Sequence, residues 1–516
     1  MNVAEQQDTK YDKLIYGKNP TEKIVGIEVI DNQAELYVQD ETGDVEVFTV
    51  PNKYWLLSSS ELGNNCQKLK GNLHYKYGKR FESRKDFLKF RRMYKNQDCF
   101  SIYDAKESLM VKDGYTYFKD LKLSDVSCLA FDLETTGIEH NDDSKILLIS
   151  NSFRKNGKVV KRLFAYDEYP SQGAMLVDWC TWVRAMDPSV LLGHNIMSFD
   201  IPYLKFIADN EEVELQLGRD HNASPIHIET DYESKFRIDG SRDQHYHKVK
   251  CHGRELIDTF FLSVKYDMAS KKYESYALKK IIQQEGLEKP NRQMYDASQI
   301  RFNYKDPIEW KKIKAYCIDD ADDALALYDL MAPPFFYLTQ SIPKSFQTII
   351  ESATGSQINS LLLRSYIQEG HSIPKASPPI FYQGATSFAI PGVYRNLYKV
   401  DIKSCYPSAI LIYNIYDKQK DPDGNFLKFM KYFTNQRYEY KRLFKETKNP
   451  MYLHLDTSSK FLINSGYGFL GAAGLSFNSP ELAEKVTRYG REFLNKAILW
   501  ASGKPSSFWI EKLNES

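Results

Sequence analysis

The 516-residue chain lacks the features of secreted, disulfide-stapled and membrane-spanning proteins. Its seven cysteines are scattered and none forms a CxxC pair, which argues against a disulfide framework and a zinc site and fits a reducing compartment. No apolar run approaches the length of a membrane span, and the polar start MNVAEQQDTKYDK is no signal peptide. We therefore expect a soluble protein without a membrane partner.

An excess of either charge is also absent, since 69 Lys and Arg balance 68 Asp and Glu. Bulk charge therefore favours no class of partner, and any nucleic-acid surface must be local. Residues 68–95 have the composition for such a surface, because Lys and Arg interleave there with Tyr, Phe and His. The stretch fits a surface along a phosphate backbone, and it also fits an ordinary solvated helix face.

The N-terminal two thirds of the chain contain no internal repeat and no low-complexity segment. Residues 24–58 alternate apolar and polar side chains, which predicts an antiparallel β meander. Across residues 126–330, apolar strands alternate with helix-like segments, which indicates an α/β unit with a mixed sheet. The two prolines of DLMAPPFFYL disfavour helix and predict a break after this unit.

The C-terminal third begins with residues 341–375, which look helical, and a second α/β unit is predicted to start near Tyr382. KVDIKSCYPSAI is interpreted as a short apolar strand that carries Asp401 and then turns. Long periodic segments after it predict three helices, over 427–448, 452–468 and 481–502.

The segment CLAFDLETTGIE predicts a strand that carries two carboxylates on one face. Side chains alternate along a strand, so Leu129, Phe131 and Leu133 share one face and Asp132 and Glu134 the other. Two carboxylates on a buried strand repel each other unless a cation lies between them. The alternative is a pair at a sheet edge in water, and the pair alone does not decide between these possibilities.

Two later segments supply further carboxylates. LLGHNIMSFDIPYL places Asp200 near the start of a helix, where capping is an equally good explanation. IKAYCIDDADD predicts an amphipathic helix on which Tyr316 and Asp320, four residues apart, share a face.

In this order, the three segments resemble the three motifs of DEDD exonucleases, in the variant whose third motif carries a tyrosine. The resemblance implies an RNase H-like 3′–5′ exonuclease with two divalent metal ions, which are Mg²⁺ or alternatively Mn²⁺. It implies that Tyr316 orients the attacking water and that Asn195 and Phe199 hold the substrate strand. The metal ligands that it implies are Asp132, Glu134, Asp200 and Asp320.

Several other polar residues near these motifs are not assigned to the site. Asp258 in GRELIDTF resembles a family segment with a structural role. The lysines of SYALKKI, including Lys279, are noted without a role. Three histidines in RDQHYHKVKCHGRE have poor spacing for metal ligands and are interpreted as surface residues: His245, His247 and His252.

A second group of polar residues lies on the predicted C-terminal helices. FTNQRYEYKRLFKE places Arg437 and Lys441 four residues apart on one helix. SSKFLINSGYGFLGA places Lys460, Asn464 and Tyr467 on one face of the next helix. Two basic faces on adjacent antiparallel helices would form a clamp for a triphosphate, whereas the alternative is an ordinary solvated face.

Together with FYQGATSFAIPGVYRNLYKVDIKSCYPSAI, these segments resemble the linker, motif A and motif B of family B DNA polymerases. Motif B, KxxxNSxYG, is intact, whereas Ala385 replaces the second glycine of the linker and Cys405 replaces the usual leucine of motif A. The resemblance extends from YGKNPTEKIVGIEV, near residue 16, to AEKVTRYGREFL, near residue 494.

The polymerase resemblance implies a role for each matching residue. Asp401 would bind both catalytic metal ions together with the backbone of Ile402, and Tyr406 would stack under the sugar of the incoming nucleotide. The linker residues Tyr382 and Gly384 would contact DNA. The nucleotide's phosphates and nascent base pair would be held by Arg437, Lys441, Lys460, Asn464 and Tyr467. The implied partners are primer-template DNA, single-stranded DNA and dNTPs, in a cytoplasmic or nucleoid-associated protein.

The sequence thus predicts an α/β and α+β multidomain protein, with a β-rich N-terminal domain, an RNase H-like exonuclease domain and a partial palm with two-helix fingers. The expected domain boundaries are 1–122 for the N-terminal domain, 123–335 for the exonuclease, 336–395 for a helical segment and linker, 396–426 for the first part of the palm, 427–475 for the fingers and 476–516 for a palm helix.

The second catalytic carboxylate of the polymerase resemblance, in a hairpin reading roughly YGDTDS, does not occur after Asp401. We therefore expect the N-terminal portion of a family B polymerase with proofreading exonuclease, which extends primers only with a second polypeptide that supplies motif C and the thumb. A truncated chain and a degenerate remnant fit the same ending. The alternative functions are a stand-alone exonuclease with a vestigial polymerase region and a non-catalytic DNA-binding subunit.

Overall fold

The structure is a computed structural model that describes residues 9–268, 270–290, 292, 294–387, 389–399, 401–402 and 404–515. Val400 and Lys403, within the segment predicted to be the Asp401 strand, lie outside the described residues. None of the helices among the described residues is long and apolar enough to cross a membrane.

The N-terminal part contains two small antiparallel sheets with the strand orders β1-β2-β3 and β5-β6-β4-β7. Its elements are α1 (Thr9–Tyr16), β1 (Ile24–Ile30), β2 (Gln33–Gln39), β3 (Val45–Pro51), β4 (Tyr54–Ser58), β5 (Gln67–Lys68), β6 (Tyr77–Phe81), α2 (Arg84–Met93), β7 (Cys99–Phe100) and α3 (Ala105–Asp113). This confirms the β-rich N-terminal region.

The predicted meander ends one strand earlier than expected. Strands β1, β2 and β3 pair in sequence, but β4 pairs with β6 and β7 in the second sheet. The basic stretch 68–95 is helical only over α2, and its first half contributes to strands β5 and β6. Alternation identifies strands, whereas the sheet that each strand joins depends on pairing with distant residues.

The middle part is built around a five-stranded sheet with the order β10-β9-β8-β11-β14. Its elements are β8 (Cys128–Thr135), β9 (Ile146–Lys155), β10 (Lys158–Ala165), α4 (Gln172–Met186), β11 (Val190–Gly193), α5 (Asp200–Asn210), β12 (His227–Arg237), β13 (Asp243–Lys250), β14 (Glu255–Asp258), α6 (Thr259–Asp267), α7 (Leu278–Glu285), α8 (Ala297–Asn303) and α9 (Pro307–Met331). The central strand β8 is antiparallel to β9 and parallel to β11, so the sheet is mixed as predicted.

The regular elements of the C-terminal part are all helices among the described residues, and no helix lies between residues 371 and 404. Its elements are α10 (Pro333–Thr339), α11 (Phe346–Glu351), α12 (Thr354–Gln368), α13 (Cys405–Ile412), α14 (Asn425–Thr447), α15 (Pro450–Asn464), α16 (Gly466–Gly471), α17 (Pro480–Ser502) and α18 (Ser506–Glu515). Helices α14 and α15 pack against each other and form the predicted two-helix fingers, joined by Lys448 and Asn449.

Three predictions for this part were wrong in detail. DLMAPPFFYL does interrupt the helix, since α9 ends at Met331, but its prolines do not exclude helix: α10 begins at Pro333, because a missing N–H in the first turn costs nothing. The helix predicted over 452–468 is broken, since α15 ends at Asn464 and α16 begins at Gly466.

The predicted Asp401 strand is the third of these corrections. No strand follows β14 among the described residues, and the apolar side chains beside Asp401 are exposed, with Leu397 at 76% and Tyr398 at 93%. A strand forms only when a neighbouring strand satisfies its backbone hydrogen bonds. The described residues provide no such neighbour, so the second α/β unit predicted near Tyr382 has no sheet here.

One continuous hydrophobic core joins the three parts, with buried residues from Ile15 to Val486. Asp421 fixes the start of α14 within this core. Its carboxylate, 3% exposed, accepts hydrogen bonds from the backbone N–H of Asn425 at 2.9 Å and of Phe426 at 2.8 Å, and from the hydroxyl of Tyr366 at 2.7 Å. This carboxylate therefore caps the first of the two finger helices and ties it to α12.

Replacing Asp421 by Ala should lower the free energy of unfolding by about 2–4 kcal/mol, because two backbone donors and one hydroxyl lose their acceptor. Tyr366→Phe removes one of these bonds and should cost about 1 kcal/mol. Urea unfolding of the full chain, followed by circular dichroism, measures both variants. Equal losses in the two variants would contradict the capping role of Asp421.

Candidate active sites

The first site is built on the central strand β8. Leu129, Phe131 and Leu133 are buried beneath the sheet, whereas Asp132 and Glu134 point to the opposite face and are half-buried. Helix α9 packs across β8 and β9 on this face. The alternation predicted from the sequence is therefore confirmed, and a helix rather than water covers the carboxylates.

Asp200 and Asp320 reach the same face from two helices. Asp200, at the start of α5, is 3% exposed and accepts a hydrogen bond from the backbone N–H of Leu133 at 3.2 Å. Asp320 on α9 is 6% exposed. Both carboxylates interact electrostatically with Asp132. The structure thus brings together the four carboxylates that the sequence predicted from three separate segments.

Burial and mutual repulsion raise the pKa of these carboxyl groups. For Asp132 the largest cause is desolvation, followed by the charges of Asp200, Asp320 and Glu134. For Glu134 it is desolvation and then Asp320. The pKa of Asp200 is raised by desolvation and by Asp258. A divalent ion between these carboxylates would relieve the same repulsion.

Cationic side chains already surround Asp320. Arg292, 6% exposed, donates from Nη2 to Asp320 Oδ1 at 2.6 Å and also pairs with Asp323. Lys279 Nζ lies 3.5 Å from Asp320 Oδ2. Desolvation still raises the pKa of Asp320, although both cations lower it. The sequence analysis noted the lysines of SYALKKI, including Lys279, without assigning them to the site, and it missed Arg292, which lies 28 positions before Asp320 outside any recognisable motif.

Asp132 and Glu134 have no direct partner of this kind, although the charge of Lys279 lowers the pKa of both. Among the described residues, neither carboxylate makes a hydrogen bond or an ion pair, although the thiol of Cys317 lies close to both. The donor set of Asp132, Glu134, Asp200 and Asp320 consists of oxygen atoms, which suits a hard divalent cation such as Mg²⁺. The residues present therefore fit the metal ions that the sequence predicted.

Tyr316 is buried more deeply than its predicted role suggests. It is 1% exposed and packs in a small core with Trp310 and Ile313. The ammonium group of Lys279 lies 4.1 Å from the centroid of its ring. The predicted role of Tyr316, to orient an attacking water, stays a prediction.

Asn195 and Phe199 lie on the turn between β11 and α5. Asp258 holds this turn, because its carboxylate accepts the backbone N–H groups of Asn195 at 2.8 Å and Met197 at 3.0 Å. Asn195 has a left-handed backbone with φ 65°, and the ring of Phe199 packs against Tyr203. Asp258 is thus structural, and contact of Asn195 and Phe199 with DNA stays a prediction.

The three histidines do not form a common site. Each has a separate partner: His245 pairs with Glu233, His252 with Glu35, and His247 lies 3.1 Å from the carbonyl oxygen of Glu229.

The second site is a cavity of about 570 Å³ between α13, the two finger helices and α17. Six residues predicted from the sequence line it: Asp401, Ile402, Tyr406, Arg437, Lys460 and Asn464. Four other predicted residues do not line it: Tyr382, Gly384, Lys441 and Tyr467.

The cation Arg437 is positioned by a carboxylate on the neighbouring helix. Its Nε donates to Asp456 Oδ1 at 2.8 Å, and both side chains are largely buried. Lys441, one turn further along α14, does not reach the cavity. Asp456 lies one turn before Lys460, so the sequence pattern contained this partner, but only the packing of α15 on α14 reveals it.

Three tyrosines pack together beside α17: Tyr406, which lines the cavity, and Tyr467 and Tyr382 behind it. The rings of Tyr406 and Tyr467 are 4.9 Å apart, and the hydroxyls of Tyr467 and Tyr382 are 3.4 Å apart. A Cβ on Gly490 would lie 2.7 Å from a ring carbon of Tyr406, so only glycine permits this close approach. Tyr382 and Tyr467 therefore support Tyr406 from behind the cavity wall.

Arg491 is a lining residue that sequence analysis missed. Its Nη1 donates to the carbonyl oxygens of Gln383 at 2.7 Å and Gly384 at 2.6 Å. It thereby holds the linker against α17 and lines the cavity beside Ala385. The sequence offers only the consecutive Gly490 and Arg491 in TRYGREFL as a signal. Their contacts with Tyr406 and with the linker become visible only in the folded protein.

Two family models match the chain. The exonuclease domain of DNA polymerase family B matches residues 89–281, and DNA polymerase family B matches residues 416–511. The two ranges together cover more than half of the chain. The third exonuclease segment with Tyr316 and Asp320, and the segment around Asp401, lie outside these ranges.

Curated relatives are archaeal DNA polymerases. The DNA polymerase of Pyrococcus glycovorans is 25% identical over 409 residues, which cover 72% of this chain and 50% of the relative. DNA polymerase 2 of Aeropyrum pernix is 23% identical and covers 75% of this chain and 50% of the relative. The chain thus spans about half the length of the curated relatives that it matches.

A solved structure shows the same fold. The family B DNA polymerase of the hyperthermophilic archaeon Pyrobaculum calidifontis superposes with a TM-score of 0.73 at 17% sequence identity. The match covers 92% of this chain and 71% of the solved chain. The family models, the relatives and the fold agree with the motifs that the sequence contains, and the chain belongs to DNA polymerase family B.

Proposed function

We propose that the carboxylate site on β8 is a 3′–5′ exonuclease site for single-stranded DNA. The observation that carries this proposal is the convergence of Asp132, Glu134, Asp200 and Asp320 on one face of the sheet, where burial raises the pKa of each. So many buried carboxylates in one place destabilise a fold unless they bind cations.

In this proposal the four carboxylates hold two Mg²⁺ ions, or two Mn²⁺ ions. When bound, such ions would activate a water molecule and stabilise the leaving 3′ oxygen. Lys279 and Arg292, beside Asp320, would be available for the negative charge of the scissile phosphate once metal ions occupy the carboxylates. Asn195 and Phe199, on the turn before Asp200, would hold the end of the substrate strand.

We propose that the second site binds a dNTP. Arg437 and Lys460 present positive charge to the cavity, Asn464 adds an amide, and Asp401 supplies a carboxylate for a metal ion. Tyr406, supported by Gly490, offers an aromatic surface for the sugar. A volume of about 570 Å³ is within the range of small-ligand sites.

Primer extension would need a second carboxylate beside Asp401, because one carboxylate alone does not hold the two metal ions that nucleotidyl transfer requires. Among the described residues that line the cavity, Asp401 is the only acidic one. We therefore propose that nucleotidyl transfer depends on a carboxylate from outside the described residues, on this polypeptide or on a second one. A stand-alone exonuclease is the alternative, and it predicts no extension under any condition.

Asp132→Ala should reduce Mg²⁺-dependent digestion of a 3′-end-labelled single strand by at least about 100-fold, because removing a metal ligand removes charge stabilisation worth several kcal/mol. The matched control is Asp142→Ala, an exposed aspartate in the loop between β8 and β9. Digestion by Asp132→Ala at the wild-type rate would exclude Asp132 from the site.

Asp132→Asn should raise the melting temperature of the metal-free protein at pH 7. A carboxyl group whose pKa is raised on folding destabilises the folded state above its unfolded pKa, so neutralising it is stabilising. The gain should be on the order of 1 kcal/mol or more, since one pKa unit is worth about 1.4 kcal/mol. If Asp132→Asn in EDTA melts at a lower temperature than the wild-type protein, the proposed repulsion between Asp132 and its neighbouring carboxylates is contradicted.

Lys460→Ala should weaken dNTP binding by about 10-fold or more, because the ammonium group lines the cavity and a charge-assisted contact with phosphate contributes about 1.5–3 kcal/mol. Lys441→Ala should have the smaller effect, since Lys441 does not line the cavity. Fluorescence anisotropy with a labelled dNTP in Mg²⁺ measures both variants. A larger loss in Lys441→Ala would show that the fingers close further onto the nucleotide than this structure indicates.

A further inference from the structure

Cys317 introduces a sulfur atom into the carboxylate site. It lies on α9 three residues before Asp320 and is fully buried. Its Sγ and the carboxylate oxygens of Asp132 and Glu134 all lie within 4.8 Å of one another. Among the described residues, these are the only three His, Cys, Asp or Glu side chains that approach each other so closely.

The three donors differ in chemical type. The carboxylate oxygens favour hard ions such as Mg²⁺, whereas a thiolate is a soft ligand that favours Zn²⁺. Zn²⁺ binds thiolate at about 2.3 Å and carboxylate at about 2.0–2.2 Å, so ligands of one ion lie about 3–4 Å apart. The observed upper limit of 4.8 Å is close to this spacing, and small side-chain rotations would close the difference.

The two carboxylates of this group lack direct ion pairs, although the charge of Lys279 acts on both. Asp320 already has Arg292 and Lys279 as partners, whereas the carboxylates of Asp132 and Glu134 have no hydrogen bond or ion pair among the described residues. A cation placed here meets two carboxylates and one thiol.

We propose that Cys317, Asp132 and Glu134 form a binding site for a thiophilic divalent cation of the Zn²⁺ class, overlapping the Mg²⁺ position. Binding forms a Zn–S bond, breaks the S–H bond and releases the proton to water, with no change of oxidation state. Zn²⁺ in this site would compete with Mg²⁺ for Asp132 and Glu134. The competition rests on the proposed exonuclease function, whereas Zn²⁺ binding itself does not.

Cys317 has an ordinary structural role as well, since it fills space beside Tyr316 and Ile313 in a small core. Serine is nearly the same size and keeps a hard oxygen donor. Cys317→Ser therefore separates the two roles, because it retains the packing volume and removes only the soft ligand. Cys66, in the N-terminal part, donates from its thiol to the carbonyl oxygen of Leu62 at 2.9 Å and provides the control variant Cys66→Ser.

Two measurements on the full chain test the site. Competition with a fluorescent Zn²⁺ chelator should show one tight Zn²⁺ ion per chain in wild type and in Cys66→Ser, with at least about 10-fold weaker binding in Cys317→Ser. Addition of Co²⁺ to wild type should give the near-ultraviolet absorption of a thiolate–Co²⁺ bond, and this readout needs no variant.

Equal Zn²⁺ affinity in wild type and Cys317→Ser, or no thiolate–Co²⁺ absorption in wild type, would overturn the proposal. If Cys317→Ser fails to fold, the Co²⁺ absorption decides alone. The outcome is separable from that of the exonuclease proposal. Mg²⁺-dependent digestion without Cys317-dependent Zn²⁺ binding retains the function and rejects this site, and the opposite result retains this site and rejects the function.

Discussion

Electrostatic repulsion among buried carboxylates is the constraint on which the exonuclease part of this protein depends. Asp132 and Glu134 are fixed by strand alternation, Asp200 by the start of α5, and Asp320 by the packing of α9 across the sheet. Each position follows from secondary structure that the hydrophobic core already stabilises. Holding these like charges close together lowers the stability of the metal-free fold. Such an arrangement is typical of a site that binds cations.

The cationic side chains around α9 show how the metal-free protein tolerates this arrangement. Arg292 joins Asp320 to Asp323, and Lys161 and Lys289 both pair with Asp322. The negative charge of the helix is thus largely neutralised by direct ion pairs, whereas Asp132 and Glu134 on β8 make no direct ion pair among the described residues and feel only the charge of Lys279.

Much of the carboxylate site could be predicted from the sequence, because the positions of its residues follow local rules. Alternation in CLAFDLET places two carboxylates on one face, and the i, i+4 spacing places Tyr316 beside Asp320. The contacts of Lys279 and Arg292 with Asp320 could not be predicted, since they arise only when distant parts of the chain pack together. The same limit applies to the second site, where the helices and the basic residues that line the cavity were predictable. Its contacts through Asp456, Gly490 and Arg491 arise only between elements, and no strand occurs around Asp401 among the described residues.

The central claim is that the four carboxylates on β8, α5 and α9 form one binding site for divalent metal ions. Anomalous scattering from crystals of the full chain grown with Mn²⁺ tests it directly. The account predicts anomalous peaks between Asp132, Glu134, Asp200 and Asp320, with the guanidinium of Arg292 displaced from Asp320. Crystals that show no Mn²⁺ at these carboxylates, with Arg292 still paired to Asp320, would contradict the account.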